Sequence, residues 1–250
     1  MKNVFNNFLK PFLVCCCFIF GSTAFAQTYD LYLCNTATAT LVPNAASYTT
    51  ADSIIWKVTN PAGVESFALK TVGTSPNYPI PTNLTTGLYS YTVTVKSAAG
   101  CPGDPSTAKT VYKLPVMTVD IANPSVATYC TNATTPSSTI VATAQLDAGA
   151  VTSLPSGITL GYSWTHSKDL AAYTNSESVI GTDNAGTALS NTFTMNTTAV
   201  GSYRFRVTAN YEFGSLVNRS SDNAGCASSS STVRTVVVAP QPTQPTITIQ

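Results

Sequence analysis

The sequence predicts an all-β protein: two tandem, disulfide-stapled β-sandwich domains behind an N-terminal leader. Three observations carry this. A set of landmarks occurs twice in the same order. The segments around them alternate apolar and polar residues with a period of two, which marks half-buried strands. Four cysteines, an even number, lie beyond the leader, as in exported disulfide scaffolds.

The leader comes first. Lys2 and Lys10 give a positive start, FLVCCCFIF (12–20) is a short apolar run, and GSTAFA ends in the small-x-small pattern Ala24-Phe25-Ala26. This is the form of a secretory signal peptide, residues 1–26, cleaved after Ala26. The apolar run is too short to span a bilayer comfortably, so no membrane span is expected after cleavage and the product is secreted or held at the cell surface.

Composition narrows the function classes. Charged residues are 9% of the chain and the formal net charge is +1. A nucleic-acid binder needs a basic stripe, and none is present.

The repeat follows. YLCNTATAT (32–40) matches TYCTNATTP (128–136), and SIIWKVT (53–59) matches GYSWTHS (161–167), with the chain's two tryptophans, Trp56 and Trp164. GLYSYTVTV (87–95) matches GSYRFRVTA (201–209), AGC (99–101) matches AGC (224–226), and STAKTV (106–111) matches STVRTV (231–236). The offset grows from 96 (Cys34 to Cys130) to 125 (Cys101 to Cys226), so the second copy carries longer loops. Spacing of this order means two copies of one domain. Domain 1 is 27–115, domain 2 is 116–240, and KLPV (113–116) links them.

Within each copy the landmarks have a mechanism. A tryptophan on an early central strand packs mid-core. Tyr89 and Tyr203, each two residues after a glycine, open a late strand and can hydrogen-bond back across a corner. Both are features of immunoglobulin-like sandwiches. Cysteines at matching places favour one bridge per copy, Cys34–Cys101 and Cys130–Cys226.

The succession Cys, Trp, GLYSYTVTV, AGC, TAKTVYKLP resembles the Ig-like and PKD-like modules of secreted and surface proteins of the Bacteroidetes, over nearly all of the chain beyond the leader. The resemblance implies a two-sheet fold and is nearly silent on function. Asp52-Ser53-Ile54 also resembles the O-glycan acceptor of exported proteins of that group, which implies Ser53 as the modified residue.

The chain closes on QPTQPTITIQ, where Thr246, Ile247, Thr248 and Ile249 form a strand-like run after a proline linker, placed as MTVDI (117–121) is placed after the first linker. Residues 241–250 therefore read as linker plus isolated strand, which folds back on its own sandwich or frays, belongs to a longer array, or is a donor to the edge of a second copy.

The catalytic search is negative. The chain has one histidine, His166, on the core face of its strand by parity with Trp164. With one imidazole no Ser-His-Asp or Cys-His site is complete. The acidic residues are scattered, and no metal or cofactor is expected. Tyr211 and Phe213, in the long insertion of the second copy, alternate with Glu212 and read as an extension of the strand; the alternative is a loop on which they stack against a sugar. The expected function is a non-enzymatic structural or adhesion element of the cell envelope, self-assembling in its sharper form, with itself, other envelope proteins or glycans as partners. The alternative is a carbohydrate-binding module using the loops of domain 2.

Overall fold

The computed structural model describes residues 29–71, 75–147, 154–177, 179–184, 189–214, 220–221 and 223–248. The leader and Ile249 lie outside them. The fold is all-β, and its one helical element among the described residues is the 3-10 turn Ala45–Ser47.

The first copy supplies β1 (Leu31–Leu33), β2 (Thr40–Leu41), β3 (Ser53–Thr59), β4 (Glu65–Thr71), β5 (Tyr78–Pro79), β6 (Gly87–Lys96) and β7 (Lys109–Lys113). The second supplies β8 (Met117–Ile121), β9 (Thr128–Cys130), β10 (Ser138–Leu146), β11 (Ile158–Lys168), β12 (Thr174–Asn175), β13 (Gly181–Asn184), β14 (Ser190–Met195), β15 (Gly201–Phe213), β16 (Ala227–Ser229) and β17 (Arg234–Ala239). Among the described residues no strand pairing crosses 114–116.

The repeat reappears as topology. One sheet runs β1-β7-β6-β3-β4 and its counterpart runs β12-β11-β15-β17-β9 when read from the other edge. The first strand is parallel to the last in both, β1 on β7 and β9 on β17. Alternation sets the core face. In β3, Ile54, Trp56 and Val58 are buried and their neighbours half-buried. In β15 the buried set is Tyr203, Phe205, Val207, Ala209 and Tyr211.

The tryptophans sit where the repeat places them. Trp56 donates from Nε1 to the Pro76 carbonyl at 2.8 Å, and Trp164 donates to Asn191 Oδ1 at 2.7 Å. Each begins an aromatic chain across the core. Trp56–Tyr78 and Tyr78–Tyr91 centroids are both 5.7 Å apart, and so are Trp164–Phe193 and Phe193–Phe205. The tyrosine corners match too. Tyr89 Oη donates to the carbonyl of Thr85 at 3.2 Å and Tyr203 Oη to that of Ala199 at 2.8 Å, four residues upstream in both. Such a bond fixes the loop to the strand it precedes.

The two copies differ in their second sheet. Domain 2 has four strands, β13-β14-β10-β8, whereas domain 1 has the two-residue ribbon β2-β5. Pro43 follows β2 closely, has no N–H for a ladder, and the chain turns into the 3-10 segment.

Candidate functional site: the domain joint and the open groove

The cysteines overturn the expected bridges. Cys34 is bonded to Cys226, across the two domains, and Cys101 and Cys130 are free thiols. The reason is strand direction. Cys34 follows β1, whose end lies beside Lys113 of β7, and Lys113 pairs with Gly87 at the start of β6. Cys101 lies past the other end of β6, a ten-residue strand, so about 30 Å separates them along the sheet at ~3.3 Å per residue. A disulfide tolerates less than about 7 Å between Cα atoms. The same holds for Cys130, beside Ala239, and Cys226, beside the far end of β15. Each copy thus carries one cysteine at each pole, and the facing poles of the two domains are joined.

That joint is packed as well as bonded. The buried apolar side chains of both copies form one cluster. Tyr211 is 3% exposed and donates from Oη to the Pro115 carbonyl at 2.9 Å. Burial, then the neighbouring Tyr112, pushes its phenol well above the usual range. Phe213 meets Tyr32 edge-on at 6.4 Å. Ser220 donates from N to the Tyr32 carbonyl at 3.2 Å and from Oγ to the Thr38 carbonyl at 2.6 Å. Gly225, at φ 75°, lies so close that a Cβ would stand 2.8 Å from Thr36 N. On the domain 1 side, buried Lys113 donates from Nζ to the carbonyls of Cys34, at 2.9 Å, and of Asn35. Burial pulls this ammonium below its ordinary value.

Tyr211 and Phe213 both continue β15, paired with Leu160 and Ile158 of β11; Tyr211, buried in the joint, offers no face to a sugar, and Phe213 is half-buried against Tyr32. Another aromatic of domain 2, Tyr173, carries the Arg206 guanidinium at 4.3 Å over its ring. Ser53 opens β3 half-buried, and Asp52 before it caps the preceding turn by accepting from Thr49 N and Oγ1. His166 is 6% exposed, its Nδ1 3.3 Å from Ser176 Oγ, and burial lowers its pKa.

The second feature is a groove of about 570 Å³ in domain 1, between β2 and the main sheet. Its floor includes Leu41, Trp56, Tyr91 and Val93, and Lys109 stands at its rim, paired with Asp30 at 2.8 Å. That ion pair and the Thr110 amide hold the Asp30 carboxyl down to about 2. Tyr91 is 1% exposed, yet among the described residues its hydroxyl has no hydrogen-bond partner. The matching place in domain 2 is filled by β8. There the Ile121 carbonyl accepts from Arg234 Nε at 2.8 Å, and Arg234 is the counterpart of Lys109: Phe205 pairs with Arg234 as Tyr91 pairs with Lys109. Burial follows coverage. Val207 under this region is 0% exposed, whereas its counterpart Val93 is only half-buried.

The segment expected to be a donor strand forms none over 246–248 and is exposed there, and Ile249 lies outside the described residues. Residues 241–248 have no regular secondary structure, and Ile247 is 92% exposed. Two apolar side chains of edge strand β4, Phe67 and Leu69, are also open to solvent. Among the described residues no three His, Cys, Asp or Glu side chains gather as a metal site, and no helix is long and apolar enough to cross a membrane.

No family profile and no curated protein matches the chain. Among solved structures it is similar to the crystal structure of the FN1–FN3 domains of chicken CNTN1, at 15% identity and a TM-score of 0.40, over 83% of this chain. The chain spans 62% of that structure's length. Likeness at this level carries no argument about role; the β-sandwich reading rests on the strand pairing itself.

Proposed function

We propose that the chain is a non-enzymatic structural element of the cell envelope: a rigid, exported rod segment of two Ig-like sandwiches. One observation carries the reading, the joint. A flexible tether between independent modules would need only 114–116. Here a disulfide, the Tyr211 to Pro115 hydrogen bond and a shared apolar cluster lock one pole of each domain to the other. Domain interfaces in one chain otherwise default to relative motion unless they are large and apolar. The bond also requires an oxidising compartment, which agrees with the leader in the sequence.

Small-angle scattering of residues 27–250 tests this. The reading expects one elongated particle whose distance distribution is unchanged by salt. A distribution requiring two domains in many orientations would refute it. Surface labelling of cells producing the full chain checks export, and protein confined to the cytoplasm would refute the envelope role.

A further inference from the structure

We propose that copies of this chain join head to tail by rebuilding the internal joint between molecules: Cys130 of one copy bonds Cys101 of the next, and the C-terminal strand of the first fills the domain 1 groove of the second. The proposal rests on the envelope reading only for an oxidising compartment and removal of the leader.

The pole chemistry is present twice. Cys130 corresponds to Cys34, and the turn after it is the same: Ala133 N donates to the Cys130 carbonyl at 3.1 Å as Ala37 N does to the Cys34 carbonyl at 3.2 Å. Cys101 corresponds to Cys226: Lys96 bridges Pro102 as Asn210 pairs with Ala227. Ser97 N donates to the Cys101 carbonyl at 2.9 Å as Tyr211 N does to the Cys226 carbonyl at the same distance. One of each kind is used inside the molecule, and the complementary pair is free at the two outer poles. Gly100 has φ 92°, like Gly225, but among the described residues a Cβ there would meet only Lys96 Cε, at 3.8 Å. The close approach that Gly225 serves is open at Gly100.

The strand follows the same logic. By the offset of 96, the counterparts of β8 in the first copy are residues 21–25, within the leader. The groove is the place that β8 occupies in domain 2. Thr246 stands six residues after Pro240, as Ile121 stands six after Pro115. That count brings 246–248 beside Leu41, Val42 and Pro43, the counterparts of the β10 residues flanked by Ile121 and the segment after it. In that register Thr246 stands where Ile121 is buried and Ile247 where Ala122 is exposed, so by alternation the run turns Thr246 and Thr248 towards the groove. It carries no charge into the groove. A contact of this kind joins different faces and does not close, so repetition gives a filament.

The bond formation balances with a disulfide oxidant such as oxidised glutathione. The Cys130 thiolate attacks it and expels one glutathione thiolate. The Cys101 thiolate then attacks the Cys130 sulfur of the mixed disulfide and expels the second. Two protein thiols are oxidised and one glutathione disulfide becomes two thiols.

The test uses residues 27–250 with oxidised glutathione, followed on non-reducing gels. A reducible ladder is expected, with tryptic peptide 97–109 bonded to 114–168. C101S or C130S alone gives no ladder, while a mixture of the two stops at the dimer. Both variants alter thiols that are free in the monomer, so folding is preserved. Deleting 241–250, or Leu41→Arg in the groove, slows the ladder about 100-fold, because strand docking sets the effective concentration of the thiols. Absence of the ladder, or Cys101–Cys101 and Cys130–Cys130 bridges, overturns the proposal. A ladder indifferent to both the tail deletion and Leu41→Arg overturns the strand docking. Scattering by the monomer is untouched by these outcomes, so this proposal and the rigid-rod reading fail separately.

Discussion

Replacing Tyr211 by Phe removes one oxygen from the centre of the joint. The ring stays, so packing is conserved and the effect is electrostatic. Tyr211 is 3% exposed and its acceptor, the carbonyl of Pro115, belongs to a buried residue. Water cannot replace the lost donor there. The cost is therefore that of a buried unsatisfied carbonyl, about 1–3 kcal/mol, rather than the net worth of one exchanged hydrogen bond, about 0.5–1.5 kcal/mol. Tyr203→Phe is the internal control. Its acceptor is the carbonyl of Ala199, an exposed residue, and water takes over when the phenol is gone. Urea unfolding followed by tryptophan fluorescence reads both. Tyr211→Phe should lower the midpoint by more than Tyr203→Phe with the slope unchanged. Equal losses, or a smaller loss for Tyr211→Phe, would refute a dry joint.

Cys34→Ser leaves both sandwiches folded and weakens their docking; scattering should then show a spread of domain orientations, and an unchanged distribution would mean packing alone holds the joint. Burial lowers the His166 pKa below the unfolded value of about 6.5. The unfolded chain binds the extra proton, so stability falls as pH drops below about 6.5; His166→Gln should flatten the urea-midpoint profile between pH 7 and 5. Asp30 has its pKa lowered to about 2, so its contribution is full above about 4 and is lost as pH falls towards 2; an Asp30→Asn chain should lose that acid dependence, and an unchanged profile would refute the Lys109 pairing.

Much of the fold was legible because the repeat and the alternation report the same physics. A tyrosine two residues after a glycine, followed by alternating apolar residues, specifies a corner and a core face in both copies. The disulfide was not legible, because matching positions in two copies say nothing about which pole of a sheet each cysteine occupies. Direction settles it: β1 runs parallel to β7, so Cys34 finishes at the pole where β6 begins. Tyr211 is legible as a strand residue, since the alternation of β15 continues past Ala209 without a break. What the alternation does not show is the joint that buries it. Lys113 gave one signal, a lone charge between Tyr112 and Leu114, but its three carbonyl acceptors come from residues 31 to 79 positions away. The groove was invisible for a related reason. It exists by contrast with β8, and only the two sheets side by side reveal what domain 1 leaves uncovered.

Disulfide mapping of the monomer is the most direct measurement. Lys57, Lys96, Lys109, Lys113, Lys168, Arg219 and Arg234 place the four cysteines on four different tryptic peptides. The joint predicts that the peptide ending at Lys57, with Cys34, is bonded to peptide 220–234, with Cys226, while 97–109 and 114–168 take up alkylating reagent. Finding Cys34 bonded to Cys101 and Cys130 to Cys226 would contradict the joint and everything built on its repetition.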